Sequence, residues 1–377
     1  MLSNKFRACF HNLDGDVKEA DISSSLSKSY VMLVFLVSLA IRLILFKYYM
    51  ATKPFSADPL SVDEVVYVKA GRLYINHFLE GHQGLDKCLQ YNYEHPMFAK
   101  MLIGLSLYLL SPVFGENFAA RFVGILTGAL TSAILCYLGG KLWNPRLGLF
   151  SGLTLSFDHL FIRYNLLAYL DNSCIFFILL SISLFFMHLD SMKKLPFLFS
   201  GIFLGFAVAS KYFGFLAVPI VICWLMPRFK DRRKLIFALA WIFIGIVTFI
   251  IVQPRLWYDL PTRLYESWLK NYNHNVNGHP IPISSIIGDG SWVGERMMPP
   301  IWTVAYWLIA PASSIEVLSL MLLITVVPIL VKEPQGRLMF ILFIIPLAYF
   351  TAQPVKLPQY LTIIKPGSSF LLLMVTN

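Results

Sequence analysis

Cysteine is scarce in this chain, with five residues in 377. Cys9 lies in the N-terminal stretch, Cys136, Cys174 and Cys223 lie within apolar runs, and Cys88 alone falls in an outer loop. No pair is available for a structural disulfide. Charge is scarce too: Asp, Glu, Lys and Arg make up 14% of the residues, well short of the share usual in a soluble domain. There is no internal repeat of solenoid period and no low-complexity tract, which excludes stacked-repeat architectures and long linkers. Residues 1–28 mix Lys, Arg, Asp and Glu without an apolar core, so they read as a short cytoplasmic tail, neither a signal nor a transit peptide. What abounds is apolar surface. Hydrophobic residues are 57% of the chain and the mean hydropathy is +0.66, values that a soluble domain with one core does not reach.

Crossing hydrocarbon takes roughly twenty helical residues with every backbone group bonded internally, so the apolar runs are read as helices. They fall near 29–48, 118–140, 147–163, 171–189, 195–210, 212–226, 235–253, 313–331, 338–352 and 359–376, about ten spans (nine to eleven) in an all-α polytopic membrane protein. The short loops 141–146, 190–194, 227–234 and 332–337 carry eleven Lys and Arg against Asp190, Asp231 and Glu333. Such loops stay on the cytoplasmic side. All four share that side only if the apolar segment 97–112 does not cross, so it is read as an interfacial or re-entrant helix. The net charge of +10 comes largely from these loops beside anionic lipid headgroups and gives no reason to invoke nucleic acid.

This assignment collects the remaining polar features on the outer face. The acid pair Asp63-Glu64 lies in the loop 49–117, with Glu94-His95-Pro96 after it. Arg121 opens the second span, Arg163 and Asp171 flank the junction of the third and fourth, Lys211 sits at the fifth-to-sixth turn, and Arg255 lies in the loop 254–312. Carboxylates fixed beside a lipid layer mark chemistry by default. The organisation expected is a tail at 1–28, a catalytic transmembrane module at 29–253 with its outer loop 49–117, an outer loop at 254–312, and C-terminal transmembrane helices at 313–377.

Several of these landmarks carry a family resemblance. Ser61-Val62-Asp63-Glu64-Val65-Val66-Tyr67 resembles the acidic motif in the first luminal loop of the dolichyl-phosphate-mannose-protein mannosyltransferases, glycosyltransferase family 39 of the GT-C class. Glu94-His95-Pro96-Met97-Phe98-Ala99-Lys100 is similar to that family's His-Pro-Pro-Leu-x-Lys segment, with Met97 in place of the second Pro. Phe118-Ala119-Ala120-Arg121 with Gly124 and Gly128 resembles its second span, and Leu170-Asp171-Asn172-Ser173 its Leu-Leu-Asp-Ser. Gly205 through Lys211-Tyr212 is similar to its Gly-x-x-x-x-x-Lys-Trp, with Tyr212 for Trp. The match covers about residues 30–226. No MIR-like soluble domain interrupts 254–312, which resembles the compact prokaryotic, archaeal-like members. The resemblance implies a GT-C fold with outer-face interfacial helices and a polyprenyl- or dolichyl-phosphate sugar as donor. It further implies transfer of mannose or a related hexose to Ser/Thr hydroxyls of proteins, on the external face of the cell membrane, or in the lumen of the endoplasmic reticulum in a eukaryote.

With that donor the leaving phosphate needs no proton, so the chemistry needs only a base for the acceptor hydroxyl. Asp63 is the candidate base, in a single displacement that inverts the anomeric centre. Glu64, pointing elsewhere on a regular backbone, orients acceptor or loop. Arg121 and Lys211, with Arg163 and Arg255 behind them, are the candidates for the donor phosphate. His95, Glu94 and Asp171 are expected to support. Plainer readings stand beside these: a solvated helix start for the acid pair, snorkelling for Arg121, turn punctuation for Lys211, an ordinary loop pair for Glu94-His95. His77, His82, Asp86 and His95 match no compact ligand signature, so no metal and no cofactor is expected. The tryptophans at 257, 268, 292, 302 and 307 read as an interface belt, and Asp158-His159 within the third run has no assigned part. The rival functions are a GT-C transferase acting on a lipid or glycan, and a transporter, which would need mid-bilayer polar groups and an inverted repeat.

Overall fold

The computed structural model describes residues 16–53, 55, 62–80, 88–226, 232–277, 281–282, 292–293, 334–352 and 366. The apolar run at 313–331 and, apart from residue 366, that at 359–376, with Trp302 and Trp307, lie outside the described residues. The chain is an all-α polytopic membrane protein. α1 (Asp16–Leu45) continues through a π-turn at Phe46–Met50. Two helices follow, α2 (Val62–Glu80) and α3 (Phe98–Phe114). The bundle is then built by α4 (Glu116–Leu142), α5 (Pro145–Phe157), α6 (His159–Asn165), α7 (Leu170–Ser191), α8 (Lys194–Ser210), α9 (Ala217–Leu225) and α10 (Arg232–Ile251). Beyond it come α11 (Leu260–Asn277), a two-residue antiparallel pairing of Ile281–Pro282 with Trp292–Val293, and α12 (Pro334–Ala352).

Among the described residues four helices are long and apolar enough to cross a membrane: Lys28–Met50, Glu116–Leu142, Leu170–Leu189 and Arg232–Ile251. α4 and α7 run through the centre of the bundle, whereas α1 and α10 lie at its rim and turn residues such as Leu36, Ile236 and Phe243 outward. Apolar side chains pointing away from the protein are what lipid solvates. With no water to drive association between helices, packing rests on small residues and on interhelical hydrogen bonds. Ser181 donates to the Ser200 carbonyl at 2.7 Å, and Trp241 Nε1 donates to Ser181 Oγ at 3.2 Å.

The run expected as one span at 147–163 is two helices. Asp158 leaves helical geometry (ψ 116°) and its carboxylate accepts from the Phe161 amide at 2.6 Å, so it caps α6 and breaks the span. The chain also reverses at Lys211, which is extended (φ −155°, ψ 142°) and is followed by a 3-10 turn at Tyr212–Leu216 before α9.

Both ends of α3 lie at the Asp63 end of the bundle. Its start is tied to the end of α10 by the Met97 amide donating to Gln253 Oε1 at 3.0 Å. Its far end passes through Gly115 into α4, whose Asn117 donates to the Ala51 carbonyl beyond the π-turn at 3.0 Å. α3 therefore lies across the bundle end, as the charge count over 97–112 expected. It is joined to α2 backbone to backbone: a Cβ on Gly104 would sit 2.1 Å from the Gly71 carbonyl oxygen, and one on Gly71 would sit 2.3 Å from that of Lys100. The turns near Lys141 and Arg146 and near Lys193 and Lys194 fall at the other end.

Candidate active site

The two acids that begin α2 have opposite surroundings. Asp63 is half-exposed, while Glu64 is fully buried. Successive helix residues point about 100° apart, so one of the pair faces the bundle and the other faces out along its edge. Glu64 receives Arg121 in a fork, Nε to Oε1 and Nη2 to Oε2, both at 2.8 Å, and its Oε1 also accepts from the Ala168 amide at 2.9 Å. Arg121 Nη1 donates to the carbonyls of Met50 at 2.9 Å and Lys53 at 3.1 Å, and the guanidinium lies over the Phe55 ring. These partners differ from the phosphate expected of Arg121, and the guanidinium is 1% exposed. The pair fastens the start of α2 to α4, to the chain following α1 and to the 166–169 loop, and so sets where Asp63 stands.

Lys211 is likewise paired. Its Nζ lies 2.8 and 3.0 Å from the two carboxylate oxygens of Asp171, which is fully buried in the first turn of α7. The extended backbone at Lys211 aims its side chain from the α8 end toward α7. Arg163 is half-buried on α6. Arg255, in the 3-10 turn Pro254–Trp257, stacks on the Tyr93 ring at 4.3 Å. Its Nη2 reaches Glu266 at 2.7 Å and its Nη1 reaches the Arg263 carbonyl at 3.0 Å and Ser267 Oγ, while its buried Nε has no hydrogen-bond partner among the described residues. Lys270 lies over Tyr93 at 4.2 Å and pairs with Glu94 at 3.0 Å.

Glu94 and His95 belong to a turn clamped by Lys100, whose Nζ donates to the Asn92 carbonyl at 2.6 Å, to Asn92 Oδ1 at 3.0 Å and to the His95 carbonyl at 2.9 Å. Asn92 itself is left-handed (φ 53°). Burial pushes the Glu94 carboxyl up, but its own backbone amide and Lys270, with the charge of Lys100, outweigh this and hold it below its usual range. The His95 ring meets Tyr67 edge-on at 5.7 Å, and Tyr67 meets Tyr169 at 6.0 Å. Tyr169 stays protonated well above the ordinary tyrosine range, first through burial and then through the charge of Asp63, with Tyr164, Asp171 and Glu64 adding. Asp63, Tyr67, His95, Tyr169 and Asp171 thus gather at one end of the bundle. Tyr67, Tyr169, Tyr93 and Lys270 were not foreseen. Tyr67 had a signal, because it stands four residues from Asp63 on one helix face; Lys270 and Tyr93 meet only through tertiary contact.

Beside this group lies a groove of about 810 Å³ between α8, α10, α11 and α12, walled by Tyr212, Phe215, Phe249, Leu264, Tyr265, Trp268, Tyr272 and Tyr349. Trp268 and Tyr272 stack at 5.5 Å along α11. Tyr349 feels the charge of Lys211, and Tyr212 that of Arg255, so both cations stand near the walls. Trp257 and Trp268 are largely exposed at this end. Among the described residues no three of His, Cys, Asp and Glu converge as metal ligands; His82 and Asp86 lie outside them.

A half-exposed carboxylate, buried cations and an aromatic groove at one end of a helical bundle suit transfer chemistry at a lipid surface. Residues 94–258 match the dolichyl-phosphate-mannose-protein mannosyltransferase family. Among solved structures, the fold is similar to ArnT from Cupriavidus metallidurans bound to undecaprenyl phosphate. There the TM-score is 0.58 at 15% identity, over 93% of this chain and 59% of that one. It is also similar to the archaeal oligosaccharyltransferase AglB from Archaeoglobus fulgidus, in complex with an inhibitory peptide and a dolichol-phosphate, with a TM-score of 0.60 at 14% identity over 93% and 50% of the two chains. This chain therefore spans between half and three-fifths of the length of those structures. A search of curated proteins gives no match.

Proposed function

We propose that the chain is a member of the dolichyl-phosphate-mannose-protein mannosyltransferase family, whose pattern residues 94–258 match, and that it transfers mannose or a related hexose from a polyprenyl- or dolichyl-phosphate sugar to Ser/Thr hydroxyls of proteins. Asp63 takes the acceptor proton as the hydroxyl oxygen attacks the anomeric carbon from the face opposite the departing phosphate. The configuration inverts, and the phosphate leaves on its lipid without needing a proton. The observation that carries this reading is the division of the acid pair: Glu64 is consumed by Arg121 and Ala168, whereas Asp63 stands half-exposed beside the aromatic cluster.

The donor lies with its isoprenoid tail in the groove of about 810 Å³ and its phosphate toward Lys211 and Arg255. Charge-assisted bonds there stabilise the negative charge that grows as the glycosyl bond breaks. The Arg255 Nε, which has no hydrogen-bond partner among the described residues, supports a role in holding the phosphate. Arg121, also a phosphate candidate by sequence, is engaged with Glu64 through its Nε and Nη2. The two similar structures, ArnT bound to undecaprenyl phosphate and AglB in complex with an inhibitory peptide and a dolichol-phosphate, support a lipid-phosphate donor and a peptide acceptor here. The site faces the exterior, opposite the basic loops.

The test is incubation of the purified full chain with labelled polyprenyl-phosphate mannose and other hexoses, against Ser/Thr peptides, lipids and glycans. Label in peptide, lost in Asp63→Asn, supports the reading. Label only in a lipid or glycan would move the acceptor class while keeping the chemistry. No transfer to any acceptor would refute it.

A further inference from the structure

Arg42 lies in the last turn of α1, within a run read from sequence only as a membrane anchor, and is fully buried. Its Nε and Nη2 both donate to Asn165 Oδ1, at 3.0 and 2.8 Å, and its Nη1 donates to the Ser38 carbonyl at 3.1 Å and to the Ser38 hydroxyl. The Asn165 amide then donates to Asn172 Oδ1 at 2.8 Å, and Asn172 Nδ2 donates to the carbonyls of Tyr164 at 2.9 Å and Leu167 at 3.2 Å. Both asparagines are buried. Gly128 leaves room for this relay, since a Cβ there would sit 2.1 Å from Asn165 Oδ1 and 2.8 Å from Arg42 Nε. Asp158, which caps α6, is the carboxylate whose charge reaches Arg42.

The relay closes on the segment from Asn165 to Asn172, and that segment carries both polar anchors of the site. Its Ala168 amide holds Glu64, and its Asp171, next to Asn172, holds Lys211. Tyr169, between them, feels the charge of Asp63. The 166–169 loop joins α6 to α7, and the side-chain bonds of Asn172 to the Tyr164 and Leu167 carbonyls add to its short-range backbone bonds, from the Leu167 amide to the Tyr164 carbonyl at 3.2 Å and from the Tyr169 amide to the Leu167 carbonyl at 2.9 Å. A charge-assisted double contact on one asparagine oxygen is the strongest link in that chain.

We infer that Arg42 is a positioning residue for sugar transfer, acting through Asn165 and Asn172 to set the loop that aligns the Glu64 and Asp171 anchors around Asp63. The inference rests on the transferase reading above. Arg42→Gln removes the double contact, and Asn172→Ser removes the grip on the loop carbonyls without disturbing a buried charge. The first readout is independent of substrate: amide exchange of a peptide covering 164–170, followed by mass spectrometry of the full chain. Exchange at Ala168 and Tyr169 is expected to rise by about tenfold in both variants, with peptides of α4 and α10 unchanged. The second readout is transfer kinetics. kcat is expected to fall on the order of 10- to 100-fold, the scale of a small misplacement of reacting groups, with donor KM within about twofold. Arg42→Lys, which keeps the charge but not the fork, is expected to recover only part of the kcat.

Unchanged exchange at 164–170 in Asn172→Ser would overturn the inference, and so would a uniform rise over the whole bundle. A rise in donor KM at constant kcat would also overturn it. If exchange responds as expected while the wild-type chain transfers no sugar, the transferase reading fails and the structural relay stands.

Discussion

Replacing Glu64 by glutamine keeps the shape of the side chain and removes its charge. The carboxylate now accepts two bonds from Arg121, each at 2.8 Å, and one from Ala168 at 2.9 Å, with both partners of the ion pair at most 1% exposed. Glutamine has one acceptor oxygen, so its NH2 must face either the guanidinium or an amide, and Arg121 is left as a buried cation against the Met50 and Lys53 carbonyls. Breaking one side of a buried, hydrogen-bonded pair costs about 3–5 kcal/mol, which corresponds to a fall in melting temperature on the order of 10 °C. Melting of the detergent-solubilised protein, followed by the loss of the monodisperse peak on size exclusion, measures it. Arg121→Met should cost a similar amount, and the double variant Glu64→Gln/Arg121→Met should cost less than the two singles together, because it leaves no unpaired buried charge. Asp63→Asn provides the contrast, since a half-exposed group can lose its charge with little change in melting. If Glu64→Gln melts like the wild type and its effect adds to that of Arg121→Met, the two side chains do not pair. The assignment of separate roles to the two acids would then be refuted.

Asp63→Asn should lower turnover by about 10²–10⁴-fold at unchanged donor affinity, the loss typical of a missing general base, as steady-state kinetics would measure. Arg255→Gln should raise the donor KM by about tenfold and leave the acceptor KM unmoved, which initial rates with both substrates varied would separate. Single cysteines at Ser111 and Asn117 should react with an impermeant thiol reagent from the same membrane side as one at Ser61, since α3 lies across the bundle end. Labelling of position 117 from the opposite side would refute that placement. Because the Glu94 carboxyl is held below its usual value of 4.5, its contribution to stability is full above that value and is lost as the pH falls through the lower folded value. The melting difference between wild type and Glu94→Gln should therefore be constant down to about pH 5 and shrink below about pH 4.

Much of the architecture was legible because lipid imposes a strong rule: long apolar runs must be helices, and their basic loops share a side. The same rule sets 97–112 apart from the crossings, where hydropathy alone would have added one, and in the fold both ends of that helix lie at one end of the bundle. Asp158 illustrates where run-counting fails. A single acid that satisfies a helix start can divide an apolar stretch, and averaging over a window hides it. Of the site, the sequence exposed the charged residues and their common end, so Asp63, Glu64, Arg121, Asp171 and Lys211 could be collected in advance. It did not expose their pairing, since Arg121 meets Glu64 across 57 positions and Lys211 meets Asp171 across 40. An arginine destined for a phosphate and one destined for a carboxylate have the same side chain and the same address. Arg42 escaped notice because near the end of an anchor an arginine ordinarily reaches for water, and only the fold reveals that it turns inward to Asn165.

The division of labour between Asp63 and Glu64 also makes their order and side-chain length matter. The longer acid bridges the gap to α4, where its oxygens reach Arg121 and the Ala168 amide together, and the shorter one stands at the rim. Exchanging them, as Asp63→Glu with Glu64→Asp, would leave composition, net charge and hydropathy untouched. Yet the inward carboxylate would fall one methylene short of its fork, and the outward one would overshoot by the same length. Two chains indistinguishable by every bulk property would then differ in whether the helix is fastened at all.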